Sequence, residues 1–223
     1  MKKILIIGAG GLAREFTSWF SGLYNIVGYL SDNDKEHLQY KLPGTWYNSD
    51  VTPSSIGTDL AVVAISAPLV KAKFYRELCK VGFKFPSFIH PSSIVSESAT
   101  MHEGVVVSPN CVISPNVTIN KLAYINFCCG IGHDVIVGKY TQINPGVELG
   151  GYSVIGDYVL VGSNASILQG ISVGDGATIG SGAVVFVNVS ERVSMMGNPA
   201  RRLPFSPLLD ASESQSTSSR TGE

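Results

Sequence analysis

Long apolar stretches are missing from this chain of 223 residues: no run reaches the ~18 that a membrane-spanning helix needs. The start Met1-Lys2-Lys3 passes at once into a strand-like run, which is no secretory leader. Basic clusters are missing as well. Charged residues make up 15% and the formal net charge is −1, so the electrostatic footprint for a nucleic-acid partner is absent. Cysteine is sparse, and Cys79, Cys111, Cys128 and Cys129 show no metal-ligand spacing. What remains is an ordinary soluble composition, for which the cytoplasm is the expected compartment.

Against these absences stands a period of six. From Ile89 every sixth residue is apolar, through Val95, Met101 and Val107 to Ile179 and Val185. Two positions before each stop runs a second series of small or β-branched residues, from Ser87, Ser93 and Ala99 to Ala177 and Ala183. Neither helical nor simple strand periodicity holds such a beat. A short strand that buries two alternate side chains and then turns a corner does hold it. Three strands make a triangular coil of eighteen residues, so this stretch holds between five and six coils of a parallel β-helix. Glycine or Asn often follows a stop (Gly132, Gly138, Asn144, Gly150), which predicts left-handed backbone there. Cys111 and Cys129 lie eighteen apart in the inward series and are expected to stack as reduced core thiols.

Before the coils, Lys3–Ile7 predicts a buried strand ended by Gly8-Ala9-Gly10-Gly11, with a helix over Leu12–Leu23 and a second strand over Asn25–Leu30. A third strand over Leu60–Ile65 and a helix over Leu69–Lys80 complete an α/β, Rossmann-like βαβ domain, bounded near residue 85. Residues 86–203 form the β-helix with a closing segment over Met195–Leu203, and 204–223 read as a Ser/Thr-rich disordered tail. The Gly8-x-Gly10-x-x-Ala13 turn, with Asp32 further on, fits a loose phosphate-holding fingerprint at a helix N-terminus. An empty tight turn and a dinucleotide site are the rival readings of it.

His133 falls two positions after an apolar stop, which places it at an outward corner with Asp134 beside it. An exposed imidazole next to a carboxylate suits a general base, and a solvated surface histidine is the bland alternative. His90 and His102 occupy corner positions where polar residues are common. Metal ligands stacked on one edge would recur at eighteen, whereas these three histidines lie twelve, thirty-one and forty-three apart, so no metal is expected.

The glycine turn, Leu30-Ser31-Asp32, the hexapeptide repeat, Gly132-His133-Asp134 and Gly197-Asn198-Pro199-Ala200 together resemble one group of bacterial sugar acetyltransferases. The group comprises the sialic acid O-acetyltransferases and the UDP-4-amino-sugar N-acetyltransferases. The resemblance implies a left-handed β-helix and a homotrimer with active sites between neighbouring subunits. It further implies acetyl-CoA as co-substrate along the coils, and a nucleotide-linked sugar held by the N-terminal domain for surface glycan biosynthesis. It carries the base onto His133, the orienting acid onto Asp134 and a thioester-facing backbone N–H onto Gly151. Gln142 stands where relatives often have a histidine near the acetyl group, and Gly10, Gly11, Leu12, Ser31 and Asp32 match sugar-nucleotide contacts.

Departures fall in the N-terminal half. Relatives often carry GGHG where this chain reads Gly10-Gly11-Leu12-Ala13, and paired acids where it reads Ser31-Asp32. N-acetylation of an amino sugar is the preferred expectation, with O-acetylation as its alternative. A covalent route through Cys128, a non-catalytic binding trimer and a β-helix metalloenzyme are the rival classes.

Overall fold

A computed structural model describes residues 1–204. The tail expected from Pro204 onward lies, apart from Pro204 itself, outside the described residues.

The first apolar run becomes the centre of a sheet because it can be covered on both sides. Strands β1 (Lys3–Ile7), β2 (Asn25–Leu30), β3 (Thr45–Tyr47) and β4 (Ala61–Val63) pair in the order β3-β2-β1-β4, all parallel. Helices α1 (Gly11–Phe20), α2 (Lys35–Gln39), α3 (Pro53–Ile56) and α4 (Pro68–Lys80) connect and cover them. Ile4, Ile6 and Val62 pack with Phe16 and Phe20 of α1, while Leu5, Ile7 and Val63 pack with Ala72 and Leu78 of α4. Alternation along β1 therefore feeds two opposite layers, the condition for a buried parallel strand. The sequence reading found β1 and β2 but missed β3, α2 and α3. Helix α1 also stops at Phe20, leaving Leu23 outside it and 42% exposed.

From Phe88–Ile89 to Val184–Val185 run seventeen two-residue strands, and each as far as Ser166–Ile167 pairs in parallel with the one eighteen residues on. They form three faces of a left-handed β-helix. The first face carries Val106, Tyr124 and Gln142 outward, the second Val112, Gly130 and Glu148, the third Thr118, Ile136 and Val154. Both apolar series fill the interior, for example Val117, Ile119, Val135 and Val137, all fully buried. Each such side chain contributes ~1.5–3 kcal/mol by leaving water. Cys111 and Cys129 are free thiols inside this stack, donating to the Asn126 and Asn144 carbonyls at 3.0 and 3.2 Å. Ser194–Met196 and Arg201–Arg202 close the end as an antiparallel pair.

The corners correct one sequence reading. From Met101 to Ile179 left-handed backbone lies three residues after each stop, at Asn110, Asn116, Leu122, Cys128, Asp134, Tyr140 and Tyr152 among others, and not at the glycines that follow the stops directly. Those glycines answer to stacking instead. A Cβ on Gly132 would lie 2.7 Å from the Gly151 nitrogen and 2.8 Å from the Leu149 oxygen, and one on Gly162 2.8 Å from the Gly180 carbonyl carbon. Neighbouring coils leave no room for a side chain there.

The α/β domain docks on the first face. Phe88, Val106 and Tyr124 join the α1 cluster, and Leu122 and Tyr140 the α4 cluster. Lys71 of α4 is fully buried and donates from Nζ to Gln142 Oε1 at 3.2 Å. Tyr75 donates to Glu103 at 2.9 Å and accepts from Lys121 at 3.0 Å, with Lys121 paired to Glu103 at 2.9 Å. Burial without a counter-charge pushes the Lys71 ammonium down to about 7.

Candidate active site

Two clusters take shape, one on the coils and one in the α/β domain. At the corner between the second and third faces, Asp134 sits in left-handed backbone, with φ of 59°. This turns its carboxylate back toward the preceding residue. His133 donates from Nδ1 to Asp134 Oδ2 at 2.9 Å, and Asn116 donates from Nδ2 to Oδ1 at 3.2 Å. These bonds, the histidine's first and Asn116's second, hold the Asp134 carboxyl below the usual carboxylate range. With Nδ1 carrying the proton, Nε2 of the neutral ring is left as a proton acceptor. The ring is half exposed and meets the edge of Tyr152 at 4.9 Å.

Gly151, one coil further on, makes room for that ring: a Cβ there would lie 2.7 Å from both Cε1 and Nε2 of His133. Its N–H finds no acceptor among the described residues, whereas its carbonyl accepts from Gly170. Gly132 and Gly151 line a groove of about 460 Å³ on the second face, together with Gly130, Glu148 and Cys128. Gly130 keeps its floor open, since a Cβ would fall on the Glu148 carboxylate. A half-exposed imidazole and, beside it, a free N–H on a glycine that lines the groove can deprotonate a nucleophile and hold a developing oxyanion.

The second cluster surrounds the start of α1. Gly8 adopts φ of 107° and donates to the Leu30 carbonyl at 2.7 Å, drawing the turn against β2. Gly10 caps α1 without a side chain, so the first N–H groups of the helix stay open. The Glu36 carboxylate and the Arg14 guanidinium flank this mouth, 3.7 and 3.9 Å from where side chains on Gly10 and Gly11 would begin. Leu12 is half-buried behind it. Ser31 is already engaged: its hydroxyl donates to the Asn33 carbonyl at 2.8 Å and accepts from Trp46 at 3.1 Å. Asp32 beside it is exposed. Arg14, Glu36 and Trp46 escaped the sequence reading because only folding brings them to the turn.

The structure thus gathers His133, Asp134 and Gly151 in one place and Gly10, Gly11, Leu12, Ser31 and Asp32 in another. Gln142 joins neither. It lies on the first face, fully buried beneath α4 and held by Lys71, so the expected contact with a donor finds no open surface there. Among the described residues no group of His, Cys, Asp and Glu could hold a metal ion, and no helix is long and apolar enough to cross a membrane.

Residues 3–78 match the PglD N-terminal domain, and residues 152–186 match the bacterial transferase hexapeptide of six repeats. PerB from Caulobacter crescentus, solved with CoA and GDP-perosamine, is 25% identical, with 91% of this chain and 98% of that one aligned at a TM-score of 0.74. The acetyltransferase domain of PglB from Neisseria gonorrhoeae FA1090, solved with acetyl coenzyme A, is 26% identical over 91% and 99% of the two chains at 0.69. Over nine-tenths of its length the chain is similar to these hexapeptide-repeat sugar acetyltransferases. WeeI from Acinetobacter baumannii AYE, 22% identical over 91% and 100% at 0.74, shares the fold. Among curated proteins none matches this chain.

Proposed function

We propose that this protein transfers the acetyl group of acetyl-CoA to the amine of a nucleotide-linked amino sugar. The observation that carries the reading is the His133–Asp134 pair standing against Gly151, which lines the groove. The ligands of the two solved relatives, CoA with GDP-perosamine and acetyl coenzyme A, support the substrate classes.

In this reading the pantetheine arm lies in the groove and its thioester reaches the corner. As the amine nitrogen bonds to the thioester carbon, His133 Nε2 takes its proton and the Gly151 N–H meets the oxyanion. The intermediate then breaks its C–S bond, and the imidazolium returns the proton to the departing thiolate. Residues 1–85 form the sugar-nucleotide domain, with the diphosphate at the α1 N-terminus near Gly10, Gly11 and Leu12, and the nucleoside near Ser31 and Asp32. Residues 86–203 form the transfer domain.

The docked domain covers the first face, whereas His133 projects from the edge opposite it. A sugar held in that domain is therefore presented to the histidine of a neighbouring subunit, in a homotrimer. Ile94, Val112 and Ile136, exposed by 69%, 48% and 43% on the second and third faces, supply apolar surface for that assembly. Free thiols stacked in adjacent coils fit the reducing cytoplasm.

The test measures thiol release from acetyl-CoA with UDP- and GDP-linked amino sugars. Turnover that falls ~10²-fold in His133→Ala is expected, the size general-base catalysis supplies. No turnover on any amino sugar, or native turnover by the variant, overturns the reading.

A further inference from the structure

The column of corner residues on which Asp134 sits extends one coil to either side, and its members are unlike one another. Asn116 lies eighteen residues before Asp134 and Tyr152 eighteen after, and all three share left-handed backbone, with φ of 60°, 59° and 59°. Their side chains consequently leave the prism in parallel, one above the next. Tyr152 meets the His133 ring edge-on, at 85° between planes. Asn116 is anchored from its own far side, its N–H donating to Ser98 Oγ at 3.0 Å.

We propose that Asn116 is a positioning residue for the base, acting through Asp134 from the coil before it. Asp134 receives His133 Nδ1 on Oδ2 at 2.9 Å and Asn116 Nδ2 on Oδ1 at 3.2 Å, with the Tyr152 hydroxyl a weaker third influence from the coil after it. A carboxylate tethered at one oxygen alone still swings about its terminal torsion, which is soft and broad. Held at both, its plane is set, and with it the direction from which Oδ2 meets the imidazole. The pair is exposed, so no packing does this work in Asn116's place. Asn also suits the backbone, tolerating the left-handed region while offering a donor. The inference rests on the acetyl-transfer reading.

Glycine is the informative substitution, since it keeps the left-handed corner and removes only the amide. Asn116→Gly is expected to lower kcat about ten-fold, the equivalent of ~1.4 kcal/mol, with KM for both substrates and Tm unchanged. Asn116→Asp keeps the shape but opposes a carboxylate with a carboxylate. The added negative charge favours imidazolium, so the acid limb of kcat/KM moves to higher pH, while in Asn116→Gly it stays. In an Asp134→Gly background, Asn116→Gly is expected to cost nothing further, because the two act along one line.

Native kcat in Asn116→Gly, an effect confined to KM or Tm, or an equal loss in the Asp134→Gly background overturns the inference. Those results, alongside an active wild type and a crippled His133→Ala, leave the acetyl-transfer reading standing. An inactive wild type removes both.

Discussion

Replacing Gly151 with Ala would separate the two duties of the coil glycines. The new methyl would start 2.7 Å from Cε1 and Nε2 of His133 and 3.1 Å from Nδ1. Carbon contacts settle at ~3.5–4.0 Å, so the ring has to withdraw by about 1 Å. It can do so, because the side chain is half exposed. The clash falls on a side chain rather than on backbone, so the loss of stability is expected to stay below that of an overpacked backbone contact. The bond to Asp134, 2.9 Å at the outset, would stretch past hydrogen-bonding range. Misplacement of a catalytic group by ~1 Å costs ~10²-fold, and that is the fall expected in kcat.

The control is Gly162→Ala, whose methyl would meet the Gly180 carbonyl carbon at 2.8 Å and the Ile179 oxygen at 2.9 Å. Backbone cannot step aside, so ~1–3 kcal/mol of overpacking is expected, with a Tm lower by ~2–4 °C for each. Its folded fraction keeps its kcat. Thiol-release kinetics and thermal melts on the two proteins decide the matter. Native kcat in Gly151→Ala, or a Tm loss as large as that of Gly162→Ala, would refute the reasoning.

Further expectations concern charge and access. A lysine whose folded pKa is about 7, against ~10.4 unfolded, binds fewer protons folded than unfolded. Folding stability therefore rises with pH from about 7 toward ~10, and Lys71→Met is expected to flatten that rise; equal slopes in urea midpoints at pH 7 and 9.5 would contradict it. Asp134→Asn keeps the left-handed corner but no longer stabilises imidazolium, and is expected to lower kcat ~10-fold or more with Tm intact. A thiol reagent is expected to titrate Cys79 and Cys128 in the native protein and all four cysteines only after unfolding. CoA is expected to slow Cys128 selectively, since that residue lines the groove, and equal labelling rates with and without CoA would argue against the groove's assignment.

The prism was legible because burial repeats at every sixth residue, from Val105 and Val107 through Ala183 and Val185. Strand β1 was legible for a similar reason, as an apolar run flanked by glycine. The corners were misread, since Gly132 and Asn144 look like residues chosen for backbone freedom. The left-handed turns fall two residues later, at Asn116 and Gly146 but also at Leu122 and Tyr140, which no propensity would have selected. Strand β3 was missed because Thr45–Tyr47 is a short edge strand without a fully buried residue. Gln142 was misplaced because only the docking of α4 puts Lys71 over it. Asn116 could have been found by stepping one coil back from Asp134, an interval the repeat itself supplies.

That interval makes the molecule a screw thread. Each full turn advances the chain by one strand spacing, ~4.8 Å, and returns every side chain to its own face. Inserting or excising a whole turn between the docked domain and His133 would slide the base along the thread and keep its bearing. A change of six or twelve residues would instead carry it round to another edge. The distance from the α/β domain to the His133 corner is thus quantised in steps of one rung.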